Sequence, residues 1–109
     1  MTGSDSFASE IREFLEEYGS DAEVRQSIWS GDANTFAWKG VPALTYDRDG
    51  FGMHTCHDEQ RFLSAWEIGR EADLIEAMVR RLACREAFAS ERKLPGEMEQ
   101  ELQKLFAEY

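Results

Sequence analysis

The chain has only two cysteines, two prolines and two histidines in 109 residues. Cys56 and Cys84 are too few and too far apart in sequence for a disulfide framework, so free thiols in a reducing compartment are the default, with a single bridge left open. No window of about 18 apolar residues exists, and Met1 to Asp5 carries no basic stretch running into an apolar one. These absences exclude a membrane-spanning helix and a recognisable export signal, and lead to an expected cytoplasmic location. Basic residues are scarce as well: 12 Lys and Arg stand against 22 Asp and Glu, a formal net charge of -10. A field of that sign repels phosphate backbones and anionic lipid, so neither nucleic acid nor a membrane surface is an expected partner. The one local basic cluster, Arg80, Arg81 and Arg85, has Glu76 and Glu86 within one or two helical turns and reads as a solvated helix face.

What is present suffices for a core. Hydrophobic residues make up 42% of the chain, with seven Phe, three Trp and three Tyr, at a length where roughly two thirds of the unfolded surface is buried on folding. The length is that of one domain, and no internal repeat or low-complexity block argues for a second. Within it, residues 1–93 are expected to form the folded body, and residues 94–109 a C-terminal amphipathic helix that packs on that body or on a partner.

Periodicity places the elements. Phe7, Ile11, Phe14, Leu15 and Tyr18 recur at helical spacing opposite Glu10, Glu13, Glu16 and Glu17, and Gly19 follows as a stop. From Glu23 to Trp29 a weak alternation of Val24, Gln26 and Ile28 predicts a short strand, ended by the Ser30-Gly31-Asp32 turn signal. Asp32 can cap a short helix through Lys39, with Gly40 in the left-handed position after it. Val41 to Tyr46 is apolar, bounded by Gly40 and by Asp47 to Gly50, and predicts a buried strand with Pro42 near its start. Asp47 to Gln60 has no period and reads as a loop. Ser64 and Glu67 form a capping box before Ile68, Leu74, Ile75, Met78, Val79 and Leu82 at three- and four-residue steps. From Pro95, Met98, Leu102, Leu105, Phe106 and Tyr109 define the last helix, with Glu97 and Glu99 at its positive end.

Chemistry-bearing residues gather in the loop. His54, Cys56, His57 and Asp58 are four potential metal ligands within five residues, after a strand of an expected α/β sheet, where such folds carry their sites. A closed structural zinc site from these four alone is disfavoured, because such sites draw ligands from two separated pairs. A cysteine nucleophile at Cys56 beside either histidine lacks an oxyanion-hole turn or an orienting acid other than Asp58. Each residue also has a plain structural reading: His57 as a solvated or hydrogen-bonded loop histidine, Asp32 as a helix cap, Asp58 as a turn residue.

The segment Gly31-Asp32-Ala33-Asn34-Thr35-Phe36-Ala37-Trp38-Lys39-Gly40-Val41-Pro42-Ala43 resembles the Ser-Asp-His-x-x-Phe-x-x-x-Gly-Ile-Pro-Ala segment of the zinc aminopeptidases of peptidase family M twenty-eight, which includes the glutaminyl cyclases. His54-Thr55-Cys56-His57-Asp58 is similar to their His-Thr-x-x-Asp, in the same order and at the family's spacing, and the capped helix from Ser64 stands where their closing helix stands. Ala33 and Asn34 are also similar to the Asp-Ala-Asn of tripeptidase-like zinc peptidases. The likeness runs from about Val24 to Ala83. It implies an α/β class with a partial zinc-exopeptidase-like fold, a short two-strand core and about four helices. It further implies that His54 is the family's last zinc ligand, that Asp32 is a carboxylate behind the ligands that orients them, and that Asp58 holds the His54 loop.

The same resemblance exposes a deficit. The family's remaining ligands and its glutamate base lie well upstream of the Ser-Asp motif, and only 30 residues precede Gly31. Glu16 and Glu17 are adjacent, as the base and ligand glutamates are in many members, but they fall on the solvent face of their helix. Catalytic zinc needs three protein ligands and an open position. The expectation is therefore the C-terminal portion of an aminopeptidase-like hydrolase of peptide bonds, inactive alone. It would bind zinc and a peptide substrate only when the missing ligands are supplied, as by a complementing peptidase chain; a homo-oligomer is the other expected association. The alternative is a non-enzymatic protein-interaction domain derived from that fold, its apolar stripes at residues 7–18 and 95–109 open to a partner.

Overall fold

The computed structural model describes residues 1–28, 31–48, 52–87 and 90–108; Trp29, Ser30, Gly50 and Tyr109, which belong to segments read above, lie outside them. Four α-helices are present among the described residues: α1 (Asp5–Tyr18), α2 (Ala33–Trp38), α3 (Ala65–Ala83) and α4 (Gly96–Ala107), with a single 3-10 turn at Gln60–Phe62.

Local chemistry accounts for where the helices start and stop. Ser4 precedes α1 in an extended conformation, and its hydroxyl accepts the Phe7 amide at 3.3 Å, satisfying one of the helix's orphan donors. The helix buries Phe7, Ala8, Ile11, Phe14 and Leu15 along one stripe and leaves Glu13, Glu16 and Glu17 in solvent. Gly19 then takes a φ of 78°, so that its own amide reaches Glu16 O at 3.1 Å and the Ser20 amide reaches Leu15 O at 2.9 Å. This paired closure needs the left-handed conformation that glycine adopts without a Cβ penalty. Gly40 ends α2 in the same way, with φ 73° and bonds from Gly40 N to Ala37 O and from Val41 N to Phe36 O.

The opening of α2 departs from expectation. Asp32 is itself helical, at φ -64° and ψ -23°, and makes no side-chain cap bond. A capping carboxylate reaches the second or third amide from an extended backbone; once the residue joins the helical turn, the side chain no longer faces those amides. Its carbonyl serves instead, accepting from Thr35 N at 3.0 Å and Phe36 N at 3.5 Å.

The expected α/β class with a two-strand core is corrected: no strand exists among the described residues, only an isolated antiparallel bridge between Thr2 and Ala43. The described residues of both predicted strands carry no regular structure beyond that bridge, and each segment meets the same short N-terminal stretch. Thr2 exchanges bonds with Ala43 at 2.9 and 3.0 Å, while the Met1 carbonyl accepts the Ser27 amide at 3.1 Å and the Met1 ammonium donates to Arg25 O. The Thr2 hydroxyl adds contacts to Ser27 O at 3.2 Å and Asn34 Oδ1 at 3.3 Å. Residues 21–28 even alternate between exposed and half-buried, as a strand does. A ladder, however, needs successive paired residues. The segment between the two would-be strands offers Met1 and Thr2 before Ser4 turns the chain into α1. Val41 to Tyr46, moreover, is half-buried to exposed throughout, unlike a sheet strand covered on both faces.

The chain divides into two compact units, one made of Met1–Thr45 with Ala89–Tyr109, the other of Tyr46–Phe88. Among the described residues the first holds eight buried apolar side chains, from α1, from Ala37 of α2, and from Met98 and Leu102 of α4. Leu102 is fully buried, and each large side chain so placed contributes about 1.5–3 kcal/mol. Trp38 meets Phe106 with ring centroids 5.2 Å apart where α2 and α4 pack. The returning segment is tied down by polar bonds: Ser90 Oγ to Glu10 Oε2 at 2.6 Å, Glu91 N to Ser6 Oγ at 3.0 Å, and Arg92 Nε to Gly40 O at 3.1 Å. The second unit carries the loop, the 3-10 turn and α3. Ser64 Oγ accepts the Glu67 amide at 3.4 Å, half of the expected capping box, and the Glu67 carboxylate reaches Arg48 at 2.9 Å. Lower on α3, Glu76 and Arg80 pair at 2.7 Å across one turn.

Candidate functional site

Residues 52–58 fold as two consecutive turns held by Thr55. Its amide and its hydroxyl both donate to Gly52 O, at 3.0 and 2.6 Å, and its carbonyl accepts the Asp58 amide at 3.1 Å. The hydroxyl oxygen also accepts the His57 amide at 3.1 Å. Gly52 sits at φ 72°, where an added Cβ would lie 2.8 Å from His57 O and 2.9 Å from its carbonyl carbon. Only glycine fits there, because both the conformation and the space refuse a side chain. The Asp58 main chain thus closes the loop.

This geometry turns the loop's functional side chains outward. His54, Cys56, His57 and Asp58 are all exposed, and His54 stands at a positive φ of 63°. Among the described residues no group of three His, Cys, Asp or Glu is placed to hold a metal ion, so His54 finds no set of co-ligands among them. Asp32, exposed at the start of α2, belongs to the other unit from His54 and Asp58. Cys56 and Cys84 are both free thiols and exposed. The Met1 α-amino group is held below its ordinary value of 8.0 by burial, which disfavours its charged form. A shallow depression beside Gly3, Ser4, Ala37 and Pro42 is bordered by residues 91–94 and open to solvent.

A second surface, which the sequence reading did not single out, lies in the same unit as the loop. Met53, Phe62, Leu63, Trp66, Ile68, Ile75 and Val79 are all exposed, Trp66 by 68% and Leu63 by 64%. Two rings are partly roofed by cations: Arg61 over Phe62 at 4.9 Å and Arg70 over Trp66 at 5.0 Å. The repeat of apolar residues along α3 at three- and four-residue steps does not mark which of them are covered. Val79 lies about 140° round the axis from Leu74, too far for one face to cover both. The width of that apolar arc was the signal available in the sequence.

Comparison with protein-family models, with curated proteins and with solved structures finds no match. The resemblance to zinc aminopeptidases is accordingly corrected, and with it the reading as the C-terminal portion of a zinc-dependent hydrolase, aminopeptidase or other metallopeptidase, or as a domain derived from that fold. The motif residues are present, but in that family they are placed by a sheet. Here, among the described residues, the segments that would build the sheet form no strand, only the bridge of Ala43 to Thr2, and the loop ligand has no companions among the described residues. No helix among the described residues is long and apolar enough to cross a membrane.

Proposed function

We propose that the chain is a protein-association module that docks through the apolar surface of residues 53–79. One observation carries the reading: of the large apolar side chains exposed among the described residues, seven fall within residues 53–79, where Leu74 and Met78 alone are buried. Single exposed apolar residues are ordinary, but a contiguous set marks a contact surface, since keeping it in water costs free energy that a partner recovers. Its composition suits that role, with Trp, Phe, Met and Arg side by side. The test is a hydrophobic dye such as ANS. The native chain is expected to bind it, and the triple substitution Ile68→Ser, Ile75→Ser, Val79→Ser to lose more than half of the signal at unchanged helicity. Undiminished dye binding in that variant would move the docking surface elsewhere.

Zinc stays a proposal in the conditional form reached from sequence, with His54 as one ligand and the others supplied from outside the chain. What supports it is the solvent access of His54, on a loop fixed by backbone bonds rather than by its imidazole.

A further inference from the structure

We draw no further inference here: the strongest candidate, the exposed apolar face of α3 along Ile68, Ile75 and Val79, carries nothing beyond the association reading, because nothing in the structure shows what covers it.

Discussion

Between the two units of this chain, apolar side chains are spent in opposite ways. Among the described residues, eight of the buried apolar ones belong to Met1–Thr45 with Ala89–Tyr109 and two to Tyr46–Phe88, while of the large exposed ones four belong to the first and seven to the second. The first unit is stabilised by what it hides. In the second, regularity comes from caps, turns and ion pairs: Ser64 on the Glu67 amide, Thr55 across its loop, Arg48 on Glu67 and Glu76 on Arg80. Exposed pairs of that kind contribute about 0–1 kcal/mol each, far less than a buried leucine. The difference teaches that helix content alone says little about where a chain's stability resides, and that a helix with well-made ends can keep an apolar row available for another molecule.

The strongest way to break this comparison is to cut the same chemistry from each unit. Leu102→Ala removes a side chain with no solvent exposure and is expected to cost about 2–5 kcal/mol in urea unfolding. Val79→Ala, which removes exposed methyls at a protein concentration too low for association, is expected to stay within about 0.5 kcal/mol. Equal losses at the two positions would mean that the α3 row is core. A smaller effect is expected at Gly52→Ala, where strain and the close approach to His57 are worth roughly 1–3 kcal/mol. Hydrogen exchange would sharpen the comparison further, with protection lost at residues 52–58 and retained in α1; loss in α1 as well would join the units in one cooperative transition. The smallest effect is expected from zinc. Calorimetric titration should give no stoichiometric uptake by the isolated chain and no change on His54→Ala, whereas one tightly held zinc per chain would require ligands that His54 does not meet among the described residues.

Legibility followed the range of the interactions. The first helix with its Gly19 stop, the short helix before Gly40, the Ser64 start of α3 and the helix following Pro95 were all readable, because periodicity, cap and glycine act within a few residues of one another. The loop at residues 52–58 was readable as a loop but not as a site: four ligand-type residues in five invite a metal, and only the Thr55-centred turns reveal that the side chains face outward. The two strand readings failed for a different reason. Val24, Gln26 and Ile28 are half-buried between exposed neighbours, and Ala43 does form a bridge, yet the segment both would-be strands bond to offers Met1 and Thr2 alone. The exposed apolar set within residues 53–79 was missed because an apolar residue at helical spacing looks the same in sequence whether its face is covered or bare.

By itself the sequence determined that this chain is acidic, that it forms helices, and where α1 and α2 stop and α3 starts, since each helical bond joins residues four apart and a glycine stop or serine cap acts within that span. Only the tertiary structure decided that the extended segments would not become a sheet and that Leu74 would be covered while Val79 is not. Both outcomes depend on what arrives from elsewhere in the chain: a strand is made by its neighbour, and a buried face by whatever lies on it.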